Sequence, residues 1–112
     1  MPEPIAIDRA VFSELQQTAG ADFVIELVDT FGEEAPGMFA ELRAAYAAGA
    51  AERFRRAAHS LKTNANTFGA TALGNQAREL ELGGLPADPS GIDALQTLLD
   101  ATVPALKELA RG

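Results

Sequence analysis

Apolar residues recur every three or four positions through nearly the whole chain, which is the period of an α-helix with one buried face. The alternation of apolar and polar residues that is typical of a strand is absent. Glycine and proline interrupt the pattern at a few points and divide the chain into five predicted helices. We therefore expect an all-α fold, an antiparallel up-down four-helix bundle with a short additional N-terminal helix, formed by residues 1–112 as one domain.

The first two predicted helices lie on either side of Gly20. The first begins after an N-cap at Asp8 and runs to about Thr18. The second covers residues 22–48, and because its apolar stripe keeps its phase across Pro36, we expect one long bent helix. The apolar positions are Ile7, Val11 and Leu15 in the first helix and Val24, Val28, Phe31, Ala35, Met38, Leu42 and Ala45 in the second.

Three further helices complete the predicted bundle. The third covers residues 51–68 and ends at Gly69, and the fourth covers residues 71–82. The fifth begins at Ser90, with Asp93 three residues later as in a capping box. The inward positions are Leu73, Ala77 and Leu80 in the fourth helix and Ile92, Leu95, Leu99, Val103 and Leu106 in the fifth.

Composition and charge exclude several classes of function. Sixteen acidic against nine basic residues give a net charge of -7, which is unfavourable for binding nucleic acid or an anionic membrane. With no cysteine and one histidine, the chain has no disulfide scaffold, thiolate zinc site or histidine pair. No apolar run is long enough to span a membrane, and residues 1–4 do not resemble a signal peptide. We expect a cytoplasmic monomer.

The single histidine, His59, lies at the centre of the polar face of the third predicted helix. At about 100° per residue, Glu52 and Asn66 fall within about 20° of it. Within about 60° lie Arg55, Arg56, Lys62 and Thr63. The opposite face carries Phe54, Ala57, Leu61, Ala65 and Phe68. The outer ring nitrogen is therefore expected to face solvent, where it can act as a nucleophile; a ring packed in the core, or held in a permanent internal bond, would contradict this.

Basic residues are concentrated around this histidine. Four of the nine in the chain lie within ten positions: Arg53, Arg55, Arg56 and Lys62. A cationic rim beside an imidazole favours an anionic group such as phosphoryl. A lone exposed histidine is nevertheless most often only solvated, and an arginine run often forms a solvated face. Composition and periodicity leave both interpretations open.

The local sequence carries a more specific signal. Residues 58–70 read Ala-His-Ser-Leu-Lys-Thr-Asn-Ala-Asn-Thr-Phe-Gly-Ala. This segment resembles the signature of histidine-containing phosphotransfer (HPt) domains, which is Ala-His-x-Leu-Lys-Gly followed by small residues, an apolar residue and Gly-Ala or Gly-Leu. Leu-Glu at 80–81 and Phe-Gly-Glu-Glu-Ala-Pro at 31–36 also resemble family segments, and the resemblance extends over about residues 8–109. Thr63 stands where the family usually has glycine, so its side chain would either crowd a partner or donate its hydroxyl to a phosphoryl group.

The resemblance implies a phosphocarrier of a multistep two-component phosphorelay, without autonomous catalysis. By this analogy, His59 accepts a phosphoryl group from a receiver-domain aspartate and passes it to another receiver, while Lys62 offsets the phosphoryl charge. The implied docking residues are Arg55, Arg56, Thr63 and Asn66, with Phe12 and Phe23 as an apolar part. The implied partners are response-regulator receiver domains and a hybrid histidine kinase. Because the receiver supplies Mg²⁺, we expect this chain to need no cofactor or metal of its own.

Two other functions remain open at this point. A bundle of the same shape would also serve as an adaptor that binds a receiver or kinase without carrying phosphate, and binding independent of His59 would identify it. A hydrolytic enzyme has little support, because the chain has neither a Gly-x-Ser-x-Gly element nor a Gly-x-x-x-x-Gly-Lys loop.

Overall fold

The computed structural model describes residues 7–112, which form five helices and no strand. They are α1 (Arg9–Ala19), α2 (Ala21–Ala48), α3 (Ala51–Thr67), α4 (Thr71–Gly83) and α5 (Ser90–Arg111). All five were predicted, including the continuation of α2 through Pro36. Residues 1–4, on which the signal-peptide expectation rests, lie outside the described residues. In the described part of the chain, no helix combines the length and apolarity that crossing a membrane requires.

Four of the helices form a closed bundle. Each of α2, α3 and α4 packs against the next helix in the chain, and α5 closes the ring against α2. The short α1 lies against α2 and α3. The connections at 49–50 and 68–70 are too short for anything but a reversal of direction between adjacent helices. The predicted four-helix bundle with a short leading helix is therefore confirmed.

The core is one cluster of apolar side chains contributed by all five helices. The predicted stripes supply most of it, but individual positions are displaced by one residue. In α2 the buried side chain is Phe39 rather than Met38, and in α5 it is Thr102 rather than Val103. A stripe about 100° wide contains adjacent candidates, and only packing against neighbouring helices decides which one points inward.

The apolar face predicted for α1 is rotated in the same way. Phe12 is only 2% exposed, whereas Val11 is among the exposed large apolar residues. Ile7 and Leu15 are half-buried at the edge of the core. The prediction that Phe12 belongs to a docking surface is therefore wrong, because its side chain is enclosed. Phe23, at 50% exposure, does lie on the surface.

The helix ends confirm one predicted cap and contradict another. The Asp8 carboxylate accepts hydrogen bonds from the backbone N–H groups of Ala10 and Val11, at 3.0 and 3.3 Å, and so confirms the predicted N-cap. The capping box predicted at the start of α5 is wrong. Ser90 is the first residue within the helix, its N–H donates to Asp88, and Asp93 instead pairs with Arg43 of α2 at 2.9 Å.

The neighbouring atoms explain why some positions of this fold are glycine, but not all of them. Gly69 has a φ of +75°, and a Cβ there would lie 2.7 Å from the backbone oxygen of Asp8. At Gly74, where α4 crosses α3, a Cβ would clash with Oδ1 of Asn66. Gly37 lies within α2, and a Cβ there would meet nothing within 4 Å. Packing therefore explains the glycines at 69 and 74 but not the one at 37.

Candidate functional site

His59 projects from the middle of α3 with its side chain 53% exposed. Its neighbours on the opposite face of the helix, Ala58 and Leu61, are fully buried in the core. The predicted outward orientation of the ring is therefore confirmed. Arg55, Arg56, Thr63 and Asn66 are also exposed residues of α3, as their helical spacing predicted.

The imidazole is held by a carboxylate from the adjacent helix. Nδ1 of His59 lies 2.7 Å from Oε2 of Glu81, whose side chain is only 8% exposed. A carboxylate only accepts, so in the neutral ring the proton lies on Nδ1 and the lone pair on Nε2. The internal bond thus engages one ring nitrogen and leaves the nucleophilic one unengaged by it.

Glu81 is the main site residue to which sequence analysis assigned no role. Positions 59 and 81 lie eleven residues on either side of Ala70, in the turn between α3 and α4. In a pair of antiparallel helices, two such positions lie at the same level. This symmetry about the turn is the signal that would have identified the carboxylate. The symmetry predicts only that the two residues lie at the same height along the helix pair. Whether their side chains face each other also depends on the rotation of α4 about its axis.

Lys62 binds the same carboxylate. Its Nζ lies 2.7 Å from Oε1 of Glu81, a buried oxygen that accepts no well-aligned hydrogen bond and is balanced by this ion pair. Contact with the Lys62 ammonium, and secondly with the His59 ring, holds the pKa of Glu81 below its usual value, against the opposing effect of desolvation. The carboxylate therefore stays ionised between the two basic groups.

The cationic rim predicted around His59 is largely balanced within the protein. Three of its four members pair with carboxylates: Arg53 with Glu41, Arg55 with Glu52, and Lys62 with Glu81. Arg56 has no hydrogen-bond or ion-pair partner among residues 7–112, and it acts on Glu52 only at longer range. An approaching anion therefore meets one unpaired cation on this face rather than four.

Thr63 uses its hydroxyl within its own helix. Its Oγ1 donates to the backbone oxygen of His59 at 2.9 Å, a bond to the carbonyl four residues earlier. In this structure the hydroxyl is thus engaged by the helix that carries the histidine.

Metal-ligating groups are scarce in the described part of the chain. Between residues 7 and 112 no cluster of three or more histidine, aspartate or glutamate side chains is arranged to hold a metal ion. The carboxylate nearest to His59 is occupied by that histidine and by Lys62.

The lowered pKa of Glu81 predicts a pH-dependent contribution to stability. A carboxyl whose pKa is lower in the folded than in the unfolded state stabilises the fold above the unfolded pKa, and this contribution is lost as the pH falls through the folded value. Glu81→Gln should therefore be less stable than wild type above the ordinary value of 4.5, with the difference shrinking below it. Urea unfolding at neutral pH and at successively lower pH values measures this, with exposed Glu79→Gln as the control. A difference that is the same at every pH would contradict the prediction.

Comparisons with known proteins identify the family and the fold. Residues 26–105 match the family model described as the Hpt domain. The crystal structure of histidine-containing phosphotransfer protein B from Pseudomonas aeruginosa PAO1 superposes with a TM-score of 0.73 at 27% sequence identity, covering 94% of this chain and 90% of that one. A search of curated protein sequences found no match.

Proposed function

Because this chain belongs to the Hpt domain family, whose members act in histidine phosphotransfer, we propose that it carries a phosphoryl group on His59 in a multistep phosphorelay. The group comes from an aspartyl phosphate of one receiver domain and goes to the aspartate of another. The observation that carries this proposal is the half-exposed His59 ring, which is held through Nδ1 so that Nε2 is the free nucleophile. In this role the chain is a phosphocarrier, and the receiver supplies Mg²⁺ and most of the charge stabilisation.

The groups present account for every bond and proton of the transfer step. The Nε2 lone pair attacks phosphorus, the N–P bond forms as the P–O bond to the receiver aspartate breaks, and that carboxylate leaves. The proton on Nδ1 stays in place, so the phosphorylated ring is a cation hydrogen-bonded to the Glu81 carboxylate. The second transfer reverses these changes on the next receiver, and Glu81 serves both directions without moving a proton.

Lys62 has a supporting role in this proposal. Its ammonium is anchored on the carboxylate that holds the imidazole, which keeps a positive charge next to the reacting ring. We assign it the task of offsetting charge on the phosphoryl oxygens once these arrive at Nε2.

A transfer assay tests the proposed function. Receiver domains of the same organism, phosphorylated by acetyl phosphate in Mg²⁺, are mixed with this protein, and the label on it is analysed. We expect acid-labile, base-stable phosphate on this chain, as a phosphorylated imidazole requires. Failure to take phosphate from any of these receivers would contradict the proposal.

Glu81→Ala should slow the transfer, because the ring loses the bond that fixes its orientation and tautomer. We expect a decrease of roughly tenfold to a hundredfold in the single-turnover rate, the range for a modestly misplaced reacting group. Glu81→Gln, which retains an acceptor for Nδ1–H without the charge, should recover part of the rate. Receiver affinity should be unchanged, and Glu79→Ala on the same helix is the control. An unchanged rate in Glu81→Ala would remove Glu81 from the positioning role.

A further inference from the structure

A groove of about 400 Å³ lies between α2 and α3, on one flank of His59. We call it the α2–α3 groove, and it is lined by Gly37, Met38, Glu41, Arg53, Arg56, Ala57 and Ser60. Ser60 follows the histidine directly in the chain, and Arg56 lies about one helical turn before it. The groove therefore adjoins the part of α3 that carries the imidazole.

Gly37 keeps the floor of this groove open. A glycine inside a helix costs about 1 kcal/mol relative to alanine, so its presence needs a reason. Packing gives none at this position, whereas the neighbouring Gly32 faces Val103, which a Cβ would approach to 3.1 Å. Without a side chain, the backbone of α2 can be approached closely from the groove, which is a common use of glycine at binding surfaces.

The rest of the lining suits an apolar group with a negative charge beside it. Met38 is half-buried, and its flexible side chain adapts to the shape of a partner. At one end of the groove, Arg53 is held by two hydrogen bonds to Glu41, at 2.9 and 3.0 Å. Arg56 is the cation of this face that no described carboxylate pairs with, on a chain whose net charge is -7.

We propose that the α2–α3 groove docks the receiver domain that exchanges phosphate with His59. The receiver contributes an apolar side chain, which lies over Gly37 and Met38, and an adjacent carboxylate, which pairs with Arg56. Continuity with the reacting imidazole and the position of the unpaired cation favour this occupant over a second copy of this acidic chain. The inference rests on the proposed function, because that function supplies the partner.

Two variants test the groove separately from the chemistry. Gly37→Leu fills the groove, and Arg56→Glu reverses its charge. Each is assayed with a phosphorylated receiver below saturation and with phosphoramidate, a small donor that transfers phosphoryl to imidazole with release of ammonia and needs no docking. In Gly37→Leu we expect the receiver-dependent rate to fall at least about tenfold, the equivalent of about 1.4 kcal/mol of binding, with the phosphoramidate rate unchanged. In Arg56→Glu both rates should fall, because phosphoramidate is itself an anion, and the receiver-dependent rate should fall at least about tenfold further than the phosphoramidate rate.

Matched controls place the same changes elsewhere. Ala40→Leu adds the same bulk to a different face of α2, beside α5, and Lys107→Glu reverses an exposed cation on α5. Both should transfer like wild type.

Three results would overturn the proposal. Wild-type transfer rates in both groove variants would remove the groove while leaving the proposed function intact. Phosphorylation of the wild type by phosphoramidate but by no receiver would remove the proposed function and the groove's occupant together. If the wild type forms a dimer in sedimentation that Gly37→Leu dissociates, a second copy occupies the groove instead.

Discussion

His59→Gln is expected to abolish phosphoryl acceptance while the bundle stays folded. It is the only histidine of the chain, so no other imidazole can take over, and an amide nitrogen is not a nucleophile under these conditions. The side chain is 53% exposed, so its replacement should change stability little. Intact-mass measurement after incubation with a phosphorylated receiver and Mg²⁺ should show one added phosphoryl group on the wild type and none on the variant. Glu79→Gln, which leaves His59 untouched, is the positive control.

The same experiment separates the carrier from the adaptor. Label that persists in His59→Gln would place the acceptor elsewhere and contradict the assignment of His59. If wild type and His59→Gln bind a receiver equally well and neither takes up phosphate, the chain acts as a non-phosphorylated adaptor. Receiver binding that survives in His59→Gln alongside transfer to wild type is the result that the proposed function expects.

Gly69→Ala is expected to cause a large loss of stability for the addition of a single methyl group. The residue has a φ of +75°, a conformation that costs an L-residue about 1–2 kcal/mol. The new Cβ would also lie 2.7 Å from the Asp8 oxygen and 3.0 Å from Cβ of Val11, which adds about 1–3 kcal/mol of overpacking. We expect a total loss of about 2–5 kcal/mol in the free energy of unfolding, measured by urea denaturation.

Gly37→Ala is the matched control, because it adds the same methyl group to a helical position with open space. We expect it to raise the free energy of unfolding by up to about 1 kcal/mol, from helix propensity alone. Changes of the same sign and similar size in the two variants would show that the environment of Gly69 does not determine the cost of the added methyl group.

The helices themselves were predictable because their signals are local. The 3.6-residue period located all five elements, and glycine marked their ends. At the end of α3, Gly69 and Ala70 donate back to the carbonyls of Asn66 and Ala65, the closing pattern that a left-handed glycine permits. The N-cap at Asp8 was found for the same reason, since its partners lie two and three residues away.

The pairings between helices were not predictable in this way. Which of Met38 and Phe39 enters the core depends on a rotation of α2 that only its neighbours determine. The charge balance around His59 depends on Glu41 and Glu81, which reach it from α2 and α4. The histidine and its exposed face were therefore predictable from the sequence, whereas the small amount of unpaired positive charge there and the carboxylate that holds the ring were not.

The hydrogen bond between His59 and Glu81 makes the site depend on the spacing of residues along α4. One residue inserted within α4, between Thr71 and Glu81, would rotate the carboxylate by about 100° relative to the start of the helix and carry it away from the imidazole, even if the helix persisted. The proposed phosphoryl transfer on α3 would then be slowed through a change in spacing rather than in any reacting group. The number of residues between the start of α4 and Glu81, and not only their side chains, therefore determines whether the carboxylate meets the ring.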